Sequence, residues 1–176
     1  MQYPELQTNR IYLRSITTED QPLIFKGLSH PDVIKHYGVS FKTLEETKEQ
    51  MDWFADLEAN GKGIWWAICA QSDDAFLGAG GFNNLDIQNR KAEVGLWLLP
   101  EYWGNAYLRD AMPLMTRYAY EKLNLHRIEG FVESDNVKCK RAMAKVNFTN
   151  EGTMRDCEIK DGKLISIDIF AQLSTD

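Results

Sequence analysis

Alternating apolar and polar residues predict strands in several parts of the chain. The run RIYLRSI alternates with period two over residues 10–16, and three further strand-like runs occupy residues 64–70, 75–82 and 92–99. Short polar links separate the three central runs, which is typical of an antiparallel meander. A sheet is therefore predicted at the centre of the fold.

Two helices are predicted between the first strand and this meander. The first begins after Thr17 or Thr18 and ends near Ser29. The second begins at Thr43, because Glu46 three residues later completes the pattern of a capping box. The segment between these helices is predicted to be irregular.

A third helix is predicted over residues 105–123, where apolar residues recur every three or four positions. Pro113 interrupts this pattern, and we expect a kink there because proline lacks an N–H and clashes with the carbonyl four residues earlier. The strand RIEGFVE, the short helix NVKCKRAMAKVNF and a terminal hairpin follow. Asp161 and Gly162 form the predicted hairpin turn.

Length predicts a single domain over residues 1–176, and the order of the predicted strands and helices indicates an α+β fold. The chain is 44% hydrophobic and 26% charged, as in ordinary soluble proteins. Its apolar runs are shorter than the roughly 20 residues that cross a bilayer. The first residues also lack the basic and apolar regions of a secretory signal. We therefore expect a cytoplasmic protein without a membrane partner.

The charge balance excludes a general nucleic-acid surface. A net charge of −6 and a pI near 5.1 argue against nucleic acid as a partner, since phosphate binding needs clustered Lys and Arg. An acidic protein instead favours cationic partners, such as amines or basic proteins.

Neither a disulfide framework nor a metal site is predicted. The three cysteines are widely spaced and form no C-x-x-C pair. They are Cys69, Cys139 and Cys157. The three histidines also lack the spacing of metal ligands. They are His30, His36 and His126.

The stretch PEYWGNAYL, residues 100–108, carries the strongest chemical signal. A strand ends at its proline and a helix begins near its GNA, and a helix start presents unpaired backbone N–H groups and partial positive charge. Gly104 and Ala106 have little or no side chain, so a pyrophosphate could reach those amides. Neither the Walker A pattern nor the Rossmann pattern is present.

This region closely resembles the central motif of the GCN5-related N-acetyltransferase (GNAT) superfamily, whose loop reads Gln or Arg, two residues, Gly, one residue, then Gly or Ala. Gly104 and Ala106 occupy the two small positions, and Glu101 stands where Gln or Arg is usual. ESDNVKCKRAMAKVNF resembles a second element of the branch that contains ribosomal-protein N-terminal acetyltransferases and spermidine acetyltransferases. Asn136 and Phe148 are in register with it. The resemblance extends from IYLRSI to SIDIFAQL.

The resemblance implies a mixed, mostly antiparallel sheet of about seven strands, flanked by about four helices. It also implies acetyl-CoA as co-substrate and no metal. Acetyl-CoA would lie where AEVGLWLL separates from RIEGFVE, with its pantetheine on the strand backbone and its pyrophosphate on the helix amides. The implied contacts are Trp97, Leu98, Leu99, Trp103, Gly104, Asn105, Ala106, Tyr107, Leu108 and Asn136. Trp103 and Tyr107 could instead be core or lid aromatics, and Asn136 could also cap the following helix.

Three catalytic candidates follow from what amine attack on a thioester requires. Glu93 could act as a general base through a water, or could only position the substrate. A backbone N–H near Leu98 is the expected oxyanion donor. Cys139 stands where the branch has Ser or Ala, so it could contact the CoA sulfur or simply pack. Met143 replaces the tyrosine that many GNAT enzymes use as general acid.

The acceptor side is predicted in the loop after the first helix. His36, Tyr37 and Phe41, together with Phe82, are expected to line it. The expected acceptor is a primary amine, first a protein α-amino group and second a polyamine or other small amine. A catalytically weak acyl-CoA-binding module is the alternative from another class. Exposed edge strands and the terminal hairpin favour a homodimer.

Overall fold

A mixed sheet of eight strands forms the centre of the structure, a computed structural model that describes residues 3–176. The strands are β1 (Leu6–Gln7), β2 (Ile11–Ser15), β3 (Ile64–Ala70), β4 (Phe76–Asp86), β5 (Lys91–Leu98), β6 (Arg127–Glu133), β7 (Thr149–Lys160) and β8 (Lys163–Leu173). They lie side by side in the order β1-β2-β3-β4-β5-β6-β8-β7. Strands β5 and β6 run parallel, and the other neighbouring pairs run antiparallel.

Helices cover both faces of the sheet. They are α1 (Gln21–Leu28), α2 (Pro31–Ile34), α3 (Lys48–Ala59), α4 (Tyr107–Glu121) and α5 (Val137–Lys145). Met115 of α4 and Met143 of α5 are buried in one core cluster, whereas Ile24 of α1 and Phe54 of α3 are buried in the other. None of the helices in residues 3–176 has the length and apolar character needed to span a bilayer.

The predicted α+β class and mixed sheet are confirmed, while the element counts were slightly low. The additional strand, β1, is two residues long, and the additional helix, α2, is four residues long. Elements this short are not long enough to show a periodic pattern.

The second long helix begins later than predicted, at Lys48 rather than Thr43. Thr43 Oγ1 does accept the Glu46 N–H at 3.1 Å. The Glu46 carboxylate, however, accepts the N–H of Lys42 at 2.9 Å instead of that of Thr43. The expected capping residues therefore close a turn that precedes α3.

Helix α4 is one continuous helix that contains Pro113, and the kink expected there stays a prediction. Pro113 and Arg109 are both exposed. Pro113 has no N–H to donate to the Arg109 carbonyl four residues earlier, so this carbonyl can bond to water instead.

The terminal hairpin agrees with the prediction. Asp161 and Gly162 both have positive φ, 50° and 73°, as a two-residue type I′ turn requires.

The far edge of the sheet is exposed. Strand β7 lies at this edge, and Ile159 and Leu164 flank its hairpin turn with relative exposures of 74% and 61%. An exposed edge strand offers backbone groups to another chain. The expected homodimer stays a prediction.

The two parallel strands separate soon after they begin. Residues 91–93 of β5 pair with residues 127–129 of β6, and the pairing then ends. Strand β6 continues alongside β8 up to Glu133, and β5 continues alongside β4 up to Leu98. A gap therefore opens between residues 94–98 of β5 and residues 130–133 of β6, and we call this gap the cleft.

Candidate active site

Glu93 lies where the cleft begins, opposite Glu129 in the last paired position of β5. Its neighbours Ala92 and Val94 are buried in the core cluster beneath α4. Strand alternation therefore places the Glu93 side chain on the face that α1 and α3 cover. Its carboxylate accepts a hydrogen bond from Asn84 Nδ2 at 2.9 Å, and it forms no ion pair within residues 3–176.

Tyr37 and His36 lie on the same face of the sheet as Glu93, Tyr37 near β5 and His36 near β6. The Tyr37 hydroxyl is 4.0 Å from the position of a Cβ added to Gly95 on β5. His36 Nδ1 is 2.7 Å from a carboxylate oxygen of Glu133 at the end of β6. Burial, and less strongly the charge of Glu93, raise the pKa of Tyr37, so its hydroxyl stays protonated. The structure thus brings His36, Tyr37 and Glu93 to one side of the cleft.

Glu133 is the centre of a small charged cluster. Its carboxylate also accepts a hydrogen bond from the Lys160 ammonium, which binds the carbonyl of Lys35 at 2.6 Å as well. Burial acts to raise the pKa of Glu133, but the hydrogen bonds from Lys160 and His36 lower it below its usual range. Asp135 lies 3.5 Å from His36 Nδ1.

The same cluster contains three groups that could ligate a metal ion. Ligand atoms of His36, Glu133 and Asp135 all lie within 4.8 Å of one another. The Lys160 ammonium already pairs with Glu133, and its positive charge opposes a second cation there. This cluster could not be predicted from local sequence patterns, because its members come from distant parts of the chain.

A loop rich in free amides joins the end of β5 to α4. Gly104 and Ala106 have left-handed backbones, with φ of 81° and 63°, and α4 begins at the next residue. The amides of residues 104–108 donate to no acceptor within residues 3–176. We call residues 103–108 the amide loop. Unpaired donors at the positive end of a helix dipole are the arrangement that binds anions at helix starts.

Aromatic side chains anchor the amide loop. Trp103 Nε1 donates to the carbonyl of Leu98 at 2.8 Å, although the indole is 43% exposed. Asn105 Nδ2 donates to the carbonyl of Tyr102 at 3.2 Å. The rings of Tyr102 and Tyr107 meet edge to face, with centroids 6.4 Å apart. Trp103 and Tyr107 therefore have clear loop-supporting contacts.

Glu101, at the position where the family motif has Gln or Arg, is turned toward α1. Its carboxylate forms an ion pair with Lys26 of that helix. The hydrogen bond from Lys26 lowers the pKa of Glu101, so the side chain stays ionised. Its negative charge is therefore paired outside the amide loop.

The end of β5 presents one backbone amide to the cleft. The Leu99 N–H donates to the carbonyl of Leu77 at 2.8 Å, on the β4 side. Alternation along β5 then turns the Trp97 amide toward β4 and the Leu98 amide toward the cleft. The Trp97 side chain is buried against Gly27 of α1. Within the range predicted for the pantetheine, Trp97 to Leu99, the amide that faces the cleft is therefore that of Leu98, and the predicted contacts stay a prediction.

Helix α5 begins on the other side of the cleft. Asn136 Oδ1 accepts the Cys139 N–H at 3.1 Å, so Asn136 does cap this helix. Burial raises the pKa of Cys139 to about 11, which keeps its thiol protonated at neutral pH. Met143, which replaces the usual tyrosine, is buried where a Cβ on Gly130 would touch it. No hydroxyl therefore takes that place.

A buried carboxylate fixes the turn between β6 and α5. Asp168 is 4% exposed and accepts hydrogen bonds from the hydroxyls of Ser134 at 2.6 Å and Thr153 at 2.7 Å. Lys140 Nζ bonds the same carboxylate at 3.0 Å and the Ser134 carbonyl at 2.7 Å. This network holds the start of α5, and with it Asn136, against β8.

The prediction that Phe82 lines the acceptor side is wrong. Phe82 is 0% exposed and packs against Trp66 in the core beneath α4. That core lies on the opposite face of the sheet from Tyr37. Phe41 does lie on the Tyr37 side, where it packs against the second core cluster and its N–H bonds the Leu28 carbonyl at 3.0 Å.

Comparisons with known proteins agree with this geometry. The profile of the acetyltransferase (GNAT) domain matches residues 10–149. The N-acetyltransferase p20 of Bacillus licheniformis is 30% identical over 169 residues, which cover 96% of this chain and 95% of that protein.

Two solved structures share the fold. One is an acetyltransferase from Salmonella typhimurium that modifies the N-terminal serine of ribosomal protein L7/L12. It has a TM-score of 0.86 and 20% identity, covering 97% of this chain and 99% of that chain. The other is a spermidine N-acetyltransferase from Vibrio cholerae in complex with CoA and spermine. It has a TM-score of 0.85 and 16% identity, covering 96% and 98%.

The family profile spans most of the chain and includes both the amide loop and α5, where the sequence resemblance was found. That resemblance is therefore confirmed. The chain belongs to the GNAT family of acetyl-CoA-dependent N-acetyltransferases.

Proposed function

We propose that the protein acetylates a primary amine bound on the α1 side of the cleft, with a protein N-terminal α-amino group as the first candidate acceptor. The observation that carries this proposal is the position of Glu93. It is a carboxylate without a cationic partner in residues 3–176, at the point where the cleft begins. An acceptor ammonium would supply the missing positive charge.

The residues along the cleft fit acetyl-CoA, which supplies an activated acetyl thioester when bound. The free amides of residues 104–108 would hold its pyrophosphate. A Cβ added to Gly104 would meet no protein atom within 4 Å, so the loop surface there is open. The Leu98 amide, turned toward the cleft, would pair with the pantetheine arm or donate to the thioester oxygen.

Three protein groups then support direct transfer. Glu93 takes a proton from the acceptor ammonium through a water, because only the neutral amine has a lone pair for attack. The Leu98 N–H stabilises the negative charge that develops on the oxygen. The raised pKa of Cys139 leaves little thiolate, so we favour a sequential reaction over an acyl-cysteine route. With Met143 in place of a tyrosine, solvent protonates the leaving thiolate, because the raised pKa of Cys139 makes its thiol a weaker acid than an ordinary thiol.

A polyamine is the second candidate acceptor. Two other carboxylates, Glu133 and Asp135, lie on the same side of the cleft as Glu93, and the Asp135 side chain is 80% exposed. A polyamine has more than one ammonium group and would use a second carboxylate. Lys160 already neutralises Glu133, and this favours an acceptor with a single charged group near Glu93.

An acceptor panel tests the proposed function. We expect free CoA release with peptides that have an unblocked N-terminus, and slower release with spermidine, spermine and simple amines. Faster release with the polyamines would assign the second candidate. Thermal stabilisation by acetyl-CoA without release on any acceptor would identify a binding module, and the absence of any stabilisation would contradict both.

Replacing Glu93 with glutamine is expected to lower kcat by about a hundredfold at pH values below the pKa of the acceptor amine. The loss should shrink at higher pH, because more of the acceptor is already neutral. The measurement is the pH–rate profile at saturating acetyl-CoA.

Glu129 provides the matched control for this substitution. It lies opposite Glu93, but its carboxylate is paired with Arg127 at 2.7 Å and with Lys91. Glu129→Gln should leave the shape of the profile unchanged. If Glu93→Gln also leaves it unchanged, Glu93 is not the base.

A further inference from the structure

Arg10, just before β2, reaches the amide loop with its side chain. Its Nη2 donates to the carbonyl of Asn105 at 2.8 Å, and its Nη1 donates to the Asp110 carboxylate at 2.7 Å. Its guanidinium carbon also lies 5.0 Å from the centroid of the Tyr107 ring. One side chain therefore fixes three points around the start of α4. We infer that Arg10 is a positioning residue that holds the amide loop in its phosphate-binding shape, an inference that rests on the proposed function.

The bond to Asn105 sets the direction of a neighbouring donor. The Asn105 carbonyl and the Ala106 N–H belong to the same trans peptide, in which the two groups point in opposite directions. When Arg10 binds the carbonyl, the Ala106 N–H must point away from Arg10. Arg10 thus turns that amide away from itself, and the Ala106 N–H has no acceptor within residues 3–176.

The backbone at Ala106 needs such support. Its left-handed conformation, with φ 63° and ψ 15°, is unfavourable for a residue that has a Cβ. Conformations of this kind persist when surrounding contacts fix them. Arg10 fixes the peptide before Ala106, and the Asn105 side chain fixes the loop from the other direction through Tyr102.

Arg10 also neutralises a charge that opposes phosphate. Asp110 lies in the first turn of α4, close to the amides that would bind the pyrophosphate. An unpaired carboxylate there would repel an anionic ligand. The ion pair with Arg10 cancels that charge, so the two roles of Arg10, orienting the Ala106 amide and neutralising Asp110, both favour anion binding.

Two single substitutions separate this role from ordinary stabilisation by an ion pair. We expect Arg10→Met to weaken CoA binding, measured by calorimetry, by about tenfold or more. Asp110→Asn breaks the same ion pair but keeps the Asn105 bond and removes a negative charge. It should therefore leave CoA affinity unchanged or raise it. Arg10→Lys keeps the charge without the two-pronged donor geometry and should fall between wild type and Arg10→Met.

Kinetics with a truncated donor supply a second readout. Arg10→Met should raise KM for acetyl-CoA while kcat at saturation stays near the wild-type value. With S-acetylpantetheine, which has no pyrophosphate, wild type and Arg10→Met should react at the same rate. Circular dichroism and thermal melts check that each variant folds. If Arg10→Met does not fold, the CoA affinities of Arg10→Lys and Asp110→Asn are compared with that of the wild type instead.

The outcomes distinguish failure of this inference from failure of the proposed function. Wild-type protein that does not bind CoA would contradict the proposed function. Wild-type binding with equal affinity in Arg10→Met would overturn the inference and leave the proposed function standing. If Arg10→Met and Asp110→Asn weaken CoA binding equally, the effect is a general structural one and the inference is overturned. The same holds if Arg10→Met slows the reaction with S-acetylpantetheine as much as the reaction with acetyl-CoA.

Discussion

Replacing Gly104 with valine is expected to abolish CoA binding while the protein still folds. Gly104 has φ of 81°, a conformation that a β-branched residue adopts only with strain. The valine would force the amide loop into another shape, and the unpaired amides of residues 104–108 would lose their present arrangement. Since several charge-assisted hydrogen bonds would be lost, Kd for CoA should rise by at least about a hundredfold.

The protein should tolerate this change because the site is exposed and open. A Cβ at Gly104 would meet no atom within 4 Å. The measurement is the thermal shift with increasing CoA, which should be present in the wild type and absent in Gly104→Val. Circular dichroism without ligand should match that of the wild type.

Gly61 provides a matched control. It also has positive φ, 63°, and an open position for a Cβ, but it follows α3 at the opposite end of the sheet from the amide loop. Gly61→Val should carry a similar local strain and keep CoA affinity. Full affinity in Gly104→Val would refute the placement of the pyrophosphate on the amide loop. A loss in both variants would mean that strain alone is responsible.

Replacing Asp168 with alanine is expected to lower the free energy of unfolding by about 3 kcal/mol at neutral pH. The substitution leaves the hydroxyls of Ser134 and Thr153 and the ammonium of Lys140 without their shared acceptor. It also creates a cavity beneath the start of α5. Urea unfolding of the wild type and the variant measures the difference.

This contribution should depend on pH in a defined direction. Hydrogen bonds from Ser134, Thr153 and Lys140 lower the pKa of Asp168 to about 2, from 3.8. A group whose pKa is lower in the folded state stabilises the fold above its unfolded pKa. The contribution, about 2 kcal/mol for such a shift, should be lost as the pH falls from about 4 to about 2.

Asp168→Asn is the control for shape. It keeps the size of the side chain but has no carboxylate to titrate, so its unfolding free energy should converge with that of the wild type near pH 2. A constant difference between the two proteins across this range would mean that folding does not lower the pKa of Asp168.

Local patterns allowed the amide loop and the terminal hairpin to be predicted from the sequence. Gly104 and Ala106 are two positions apart, and Asp161 and Gly162 are adjacent, so a few letters describe each structure. Backbone conformations that most side chains disfavour restrict the residue types at those positions, so they can be recognised from the sequence. The family motif added the expectation of a cleft, and the end of pairing at Glu93 is where that cleft begins.

Contacts between distant residues could not be predicted in this way. Arg10 and Asn105 are 95 positions apart, and His36 and Glu133 are 97 apart. Nothing in the neighbourhood of either partner encodes the other. The misplaced Phe82 has a different cause. A strand buried on both faces shows little alternation between polar and apolar residues, so its pattern does not reveal which face a side chain occupies.

The short pairing of β5 with β6 has a mechanical consequence. The sheet consists of two halves, β1 to β5 and β6 to β8, and within residues 3–176 the ladder that joins them is short, residues 91–93 with residues 127–129. A ligand bound in the cleft, as proposed above, would contact both β5 and β6 and would connect the halves beyond this short ladder. Acetyl-CoA would then complete the architecture as well as the reaction, so cofactor occupancy and resistance to unfolding should rise together.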